Sequence, residues 1–241
     1  MEFEKTGIRF FLAVPDVISL LNLSFGFLAI LMAFNGDIHL SAILIIISIV
    51  FDSLDGWVAR KIGRNDEYGF GKNIDSLADA ISFGAAPGVL LYSAGNIYFH
   101  EISPIVAIVS LFIVICGVLR LTRFNVIDGK VDYDGFIGLP IPTIAILLST
   151  LLLSGFFDTY LSLVLMIATG LLMISNVKFP KFSNIKIISF VGLLTLLVIV
   201  FYLLNLYGIY PLSLYGVNIF ATILFALVVV YIFINLIKDF N

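Results

Sequence analysis

Charge is scarce in this chain, and so is sulfur. A single cysteine, Cys116, sits inside an apolar run of the 241 residues, so an intrachain disulfide is excluded and the thiol reads as a small packing residue. Charged residues make up only 12%, about half the usual share of a soluble domain, while 61% are hydrophobic and mean hydropathy is +1.15. These proportions exclude an ordinary soluble domain and give an integral membrane protein of one-domain size. The two histidines, His39 and His100, fall in loops away from the acidic cluster described below, which excludes a histidine metal site and a Ser-His triad. Met1–Pro15 lacks a secretory pattern, carrying Glu2 and Glu4 and no small-residue cleavage site. Low-complexity tracts and obvious repeats are absent, and no nucleic-acid partner is expected.

Apolar windows long enough to cross a bilayer fall near 17–34, 39–59, 74–96, 103–124, 140–155, 159–176, 187–207 and 214–237. The fifth is short and almost continuous with the sixth. Gly155-Phe156-Phe157-Asp158 is taken as the break between them, with one re-entrant hairpin as the alternative. Basic residues fix the orientation. Lys5 and Arg9, then Arg60, Lys61, Arg64 and Lys72, then Arg120, Arg123 and Lys130, then Lys178, Lys181 and Lys186, and finally Lys238 all fall on one side if the spans alternate. The opposite loops carry Asp37, His39, His100, Glu101 and Asp158 without any Lys or Arg. The positive-inside pattern therefore predicts a cell-membrane protein with both termini cytoplasmic. The opening MEFEKTGIRFFLAV mixes charge with Phe3, Ile8, Phe10 and Phe11, and reads either as a helix in the headgroup layer or as a frayed tail.

Against this apolar background stand four aspartates, Asp52, Asp55, Asp75 and Asp79, at the cytoplasmic ends of the second and third spans. A charge near a bilayer centre costs roughly 2.5–3.5 kcal/mol even on lenient insertion scales. Asp52 and Asp55 are three apart, and Asp75 and Asp79 four apart, so each pair shares one helix face. Two such helices can enclose one or two hard cations with oxygen ligands. A pair of cations suits displacement at phosphorus. Buried ion pairs with Arg60, Arg120 or Arg123 are the structural alternative, but they leave the spacing and the glycines unexplained. Gly56, Gly69, Gly71 and Gly84 let backbone approach a bulky ligand, or serve packing and turns. Arg60 lies one turn beyond Gly56, where a guanidinium suits a diphosphate.

The order Asp52-x-x-Asp55-Gly56-x-x-Ala59-Arg60, followed by Gly71-x-x-x-Asp75-x-x-x-Asp79, resembles the signature of the CDP-alcohol phosphatidyltransferases, with all eight signature positions filled. Three further segments resemble the phosphatidylserine synthase branch of that family. They are Asp75–Pro87 (DSLADAISFGAAP), Arg120–Asn125 (RLTRFN, with Thr122 in place of Ala) and Phe136–Pro142 (FIGLPIP). Asn22–Ile30 (NLSFGFLAI) also resembles that branch's first helix. The resemblance covers about Pro15 to Ser175. It implies an all-α, polytopic membrane bundle with a six-helix core over 1–175 and an additional transmembrane hairpin over 176–241.

The resemblance further implies transfer of a phosphatidyl or archaetidyl group from CDP-diacylglycerol or CDP-archaeol to L-serine, releasing CMP, in phospholipid biosynthesis. It assigns two divalent cations, Mg²⁺ or Mn²⁺, to Asp52, Asp55, Asp75 and Asp79, and makes Asp79 the general base. Asp55, Gly56, Ala59, Arg60 and Gly71 would line the CDP site. Pro15–Ser19 resembles the family's P-N-x-x-T opening near the nucleotide, with Asp16 for Asn and Ser19 for Thr. Arg120 and Arg123 would hold a serine carboxylate or a lipid phosphate, or else anchor the span; Asn125 would orient one of them or cap a helix. Pro140 and Pro142 would bend the backbone around the acceptor pocket. A homodimer among membrane lipids is implied too.

The architecture expected is a cytoplasm-facing cavity between spans two, three and four. Three rivals differ in what they need. The same chemistry with glycerol 3-phosphate or an inositol phosphate wants a more basic pocket. An intramembrane prenyltransferase wants asparagine where Gly71 stands. A divalent-cation transporter wants polar groups continuing to the far face.

Overall fold

The computed structural model describes residues 7–64, 66–98, 103–127, 130, 133, 135–180, 185–207 and 218–240. Helices dominate it. A single turn, α1 (Ile8–Phe11), precedes α2 (Val14–Phe34), and Gly36 at φ 85° turns the chain into α3 (Ile38–Ile62). Next come α4 (Phe70–Asp79), a six-residue π-helical stretch (Ala80–Ala85) and α5 (Ala86–Tyr98) as one continuous rod, then α6 (Ser103–Ile127). After β1 (Gly135–Ile137) the chain forms α7 (Ile141–Leu153), α8 (Thr159–Ile174), β2 (Lys178–Pro180), α9 (Ile185–Leu206) and α10 (Ile219–Phe240).

The eight apolar windows thus return as helices, but only six helical rods among the described residues are long and apolar enough to cross a membrane. The exceptions are α7 and α8. At 13 residues α7 reaches about 20 Å, short of a bilayer's hydrocarbon core of about 30 Å. Pro140 stands at its N-cap, and Gly155 at φ 77° follows its last turn, so the chain breaks where the sequence placed the break. Nearly every residue of α7 is buried, from Ile141 and Ile144 to Leu147–Leu153. A helix apolar on all sides belongs inside a bundle, and α3, α5 and α10 pack around this one.

The outer helices show the opposite pattern. Leu20, Phe27 and Leu31 on α2, and Ile108, Leu111 and Ile115 on α6, are exposed, while Asp16, Ser19 and Asn22 on α2 and Arg120 on α6 are buried. Polar side chains turned inward from apolar rods mark a polar interior in a membrane protein. The last two helices pack on this bundle, α10 against α7 and α9 against α3. The backbone N–H of Asn218 reaches the Leu153 carbonyl at 3.3 Å.

Within the opening segment the described residues form one helical turn, Ile8–Phe11; residues 1–6, where the start of the expected interfacial helix falls, lie outside the described set, as do His100, Glu101 and Lys181. That turn is held by aromatic contacts, with Phe11 stacked on Phe70 (5.4 Å between centroids) and edge-on to Tyr68 (5.9 Å). The all-α class holds except for a small ribbon. Phe136 of β1 pairs with Phe179 of β2, antiparallel.

The third rod is also wound differently from a plain helix. Pro87 cannot donate to the carbonyl four residues back, and its ring crowds that carbonyl. The wide turn lies just ahead of it, over Ala80–Ala85, where the helix loosens rather than breaks. Small residues there let α2 come close. A Cβ on Gly26 would lie 2.6 Å from the Cα of Ser82 and would strike its hydroxyl. Gly26→Ala is expected to destabilise the protein by about 1–3 kcal/mol, the usual range for overpacking. A lowered midpoint of thermal unfolding in detergent checks this.

Candidate metal and phosphate site

The site is built where α3 ends, α4 begins and the first two turns of α2 pass by. The carboxylates of Asp52, Asp55 and Asp75 approach so that one oxygen of each lies within 4.8 Å of the others. Asp79, one turn beyond Asp75 on α4, lies near this group and interacts electrostatically with Asp52 and Asp75. Asp55 and Asp79 are buried, Asp52 and Asp75 partly so. The spacings explain the convergence: each helix offers two carboxylates on one face, and the two faces meet. An all-oxygen, multiply anionic donor set fits a hard divalent cation, so the three-residue cluster of Asp52, Asp55 and Asp75 is able to bind a metal ion.

α2 supplies a third wall. Ser19 Oγ donates to Asp55 Oδ2 at 2.7 Å, and Asn22 Nδ2 donates to Asp79 Oδ1 at 3.2 Å. Asn22 is fully buried, and Ser82 Oγ, in the π stretch, donates to its backbone carbonyl at 3.0 Å. The sequence reading noted Asn22 only as part of a resembling helix and gave Ser82 no role. Their signal was faint: a lone asparagine and a lone serine in apolar runs, informative only once two helices are seen to touch.

The residues expected from the sequence to line a CDP site gather near the loop after α3. Gly63, at φ 61°, caps α3 in the left-handed conformation, and the backbone N–H of Arg64 bonds the Ala59 carbonyl at 3.1 Å. The reversal turns Arg64 back toward α2, where it forms a two-pronged ion pair with Asp16, including Nη2 to Oδ2 at 2.8 Å. Asp16 also accepts from the Ala13 N–H at 2.8 Å, which fixes the first turn of α2. A methyl group on Gly71 would fall on the Arg64 guanidinium and displace it from its place against Asp16. Asp66 then caps α4, accepting from the N–H groups of Gly71 (3.2 Å) and Lys72 (3.0 Å). Sequence reasoning counted Arg64 only as a positive-inside charge and left Asp66 out. Arg60 is exposed, with its Nη1 against Gly56, where a Cβ would meet it at 3.4 Å. Gly56 and Ala59 are partly buried on the same stretch.

α6 brings the remaining candidates, and it separates them. Arg120 is buried, interacts electrostatically with Asp52, Asp75 and Asp79, and lies over the rings of Phe124 (5.3 Å) and Phe136 (5.5 Å). Its Nε has no hydrogen-bond partner. Arg123 turns elsewhere. It donates to the carbonyls of Ile174 (3.0 Å), Ile137 (2.8 Å) and Met173 (2.8 Å), tying α6 to the end of α8 and to β1. Asn125 bonds the Ser76 hydroxyl at 2.8 Å, and its carbonyl accepts from Lys72 Nζ at 3.2 Å. Arg120 and Asn125 therefore face α4, whereas Arg123 is occupied by backbone. His39 sits in the first turn of α3, the opposite end from Asp52 and Asp55.

Comparison with known proteins agrees with this geometry. Residues 12–175 match the family model described as CDP-alcohol phosphatidyltransferase. The chain is 48% identical over 174 residues, 72% of its length and 72% of the relative's, to a protein of Methanothermobacter thermautotrophicus named archaetidylserine synthase. It is 43% identical over 182 residues (74% and 79%) to a Methanocaldococcus jannaschii protein named CDP-diacylglycerol–serine O-phosphatidyltransferase. A Bacillus subtilis protein of that same name is 36% identical over 171 residues, which cover 71% of this chain and 92% of the relative.

The Asp16–Arg64 pair yields a stability prediction. Breaking a buried ion pair from one side strands the other charge, at a cost of roughly 3–5 kcal/mol. Arg64→Ala is expected to lower thermal stability in detergent markedly, and adding Asp16→Asn to recover part of it. Equal midpoints for wild type and Arg64→Ala would show that the pair contributes nothing.

Proposed function

The chain belongs to the CDP-alcohol phosphatidyltransferase family, and on that premise we propose that it transfers the lipid phosphate of a CDP-activated lipid to the hydroxyl of L-serine, releasing CMP. The observation that carries this reading is the convergence of Asp52, Asp55 and Asp75 beside Asp79, with side chains of α2 and α6 directed at them. The acceptor follows from relatives named for serine and from the three branch-like segments. The donor is CDP-diacylglycerol or CDP-archaeol, since relatives of both kinds share this core.

Asp52, Asp55, Asp75 and Asp79 would hold two divalent cations, Mg²⁺ or Mn²⁺. Bound there, such ions polarise phosphoryl oxygens and stabilise the leaving phosphate. The protein's own groups do the rest. Asp79 takes the proton from the serine hydroxyl as its oxygen bonds to the lipid-side phosphorus. The bond from that phosphorus to the CMP oxygen then breaks, and CMP departs with the electron pair. Asn22, fixed by Ser82, orients the Asp79 carboxylate, and Ser19 orients Asp55. Geometry matters more here than basicity, because a carboxylate is a weak base for an alcohol.

Asp55, Gly56, Ala59, Arg60 and Gly71 would form the CDP site, with Asp16 and Arg64 setting its outer edge. Arg123 is given a positioning role, since it braces β1 and the end of α8. In this reading the core occupies 1–175 and the hairpin over 176–241 buttresses α7. The basic loops put the site and both termini on the cytoplasmic side. A homodimer is carried over from the family resemblance alone.

Asp79→Asn keeps the shape and removes the base, so it is expected to lose about 10²–10⁴-fold in kcat while its unfolding midpoint stays near wild type. Purified protein in detergent with a CDP-lipid, Mn²⁺ and radiolabelled L-serine measures this as label in the lipid phase. Chelator is expected to abolish the label and added Mn²⁺ to restore it. Full activity in Asp79→Asn would overturn the base assignment, and CMP release with another alcohol but not serine would replace the acceptor.

A further inference from the structure

Two buried side chains near Asp79 each leave one polar atom without a hydrogen-bond partner, and the two atoms are opposite in kind, an acceptor and a donor. Asn22 is fully buried, and its amide orientation is fixed by chemistry: the Asp79 carboxylate only accepts, so Nδ2 faces it. The other end of the amide, Oδ1, is buried without a hydrogen-bond partner. On the other side stands Arg120, 5% exposed, with its Nε likewise unpartnered and its charge directed at the aspartates. A buried acceptor and a buried N–H donor left without hydrogen bonds each carry a desolvation cost that a folded protein normally avoids. Both are also held firmly. Ser82 and Asp79 grip Asn22 from its backbone and side chain, and Phe124 and Phe136 bracket Arg120. Fixed, unsatisfied groups that flank a reacting carboxylate are suited to a ligand with complementary ends.

We propose that Asn22 and Arg120 together read the two charged ends of a zwitterionic amino-acid acceptor while its hydroxyl lies at Asp79. Arg120 takes the α-carboxylate through its guanidinium, and Asn22 Oδ1 accepts from the α-ammonium. This deepens the serine reading given above and rests on it. It also supplies a basis for selectivity. A simple alcohol leaves both groups unpaired in a dry site, and a phosphorylated polyol has no donor cation for Asn22. Rejection through unpaired buried groups is stronger than rejection by size. Asn22 acts on two partners in this arrangement, as a specificity residue toward the acceptor and as a positioning residue toward Asp79.

The test compares acceptors rather than one rate. Wild-type protein in detergent, with CDP-lipid and Mn²⁺, is given L-serine, 3-hydroxypropanoate (no ammonium) and ethanolamine (no carboxylate), and CMP release is followed. Each analogue is expected to lose about 10- to 100-fold in kcat/KM, the equivalent of one charge-assisted hydrogen bond. Asn22→Ser is expected to narrow the gap between L-serine and 3-hydroxypropanoate, and Arg120→Lys the gap between L-serine and ethanolamine. KM for the CDP-lipid is expected to hold in both variants.

Several results would overturn the pairing. One is a uniform loss by Asn22→Ser across all acceptors, which is what a role confined to Asp79 predicts. Should neither variant fold, the wild-type series still decides, because analogues used within a few-fold of L-serine contradict the pairing. Serine transfer with unchanged acceptor ratios would remove the pairing alone. CMP release with other alcohols but never with serine would remove the serine reading and the pairing with it.

Discussion

Negative charge packed into an apolar bundle is the constraint around which this molecule is arranged. Four carboxylates occupy the junction of α3 and α4, and Coulomb repulsion among them grows as water is withdrawn. The surrounding structure answers with directed partners. Ser19 and Asn22 from α2 each donate to one carboxylate, and Arg120 from α6 brings a buried positive charge. Those three contacts require that α2, α4 and α6 all reach one point. The small residues of α2 and the π stretch, the early end of α3 and the glycine at its cap are the means by which they do so.

The same constraint separates parts that look alike in sequence. Arg120 and Arg123 are one turn apart on α6, yet one faces the aspartates and the other binds three backbone carbonyls. Three residues apart, they lie on nearly the same helix face, so the division comes from what each one meets: the aspartates for Arg120, and β1 with the end of α8 for Arg123. Arg123 meets the turn at Gly138, where φ is +80° and any side chain would strike both the arginine and the Met173 carbonyl. The β1–β2 ribbon and α8 are therefore fastened to α6 beside Arg120, which keeps Phe136 against the guanidinium. Asp16 and Arg64 perform a comparable fastening at the start of α2, joining it to the loop between α3 and α4. A site whose ligands come from four rods needs such ties, since each rod by itself is an apolar cylinder free to rotate in lipid.

Much of this was legible in the chain itself. Hydropathy gave the helices because a bilayer forces the backbone to satisfy its own hydrogen bonds. Aspartate spacing gave the two carboxylate faces, since three and four residues return to one side of a helix. The signature from Asp52 to Asp79 carried the family. What the sequence could not reveal was which residues outside the signature touch it. Asn22, Ser82, Arg64 and Asp66 are ordinary residues in ordinary local settings, and their roles come from neighbours 48–60 positions away or from a turn whose geometry is not periodic. The burial of α7 inside the bundle was likewise hidden, because hydropathy alone does not tell a helix buried in protein from one facing lipid.

The sequence by itself thus determined the environment, the helical order and the chemistry of the donor set, for each depends on composition or on spacing within one element. Tertiary structure alone decided which cation faces the aspartates, which asparagine holds Asp79 and where the third rod loosens. Those outcomes depend on contacts between helices, and the energy of such a contact belongs to the pair and is written in neither segment alone.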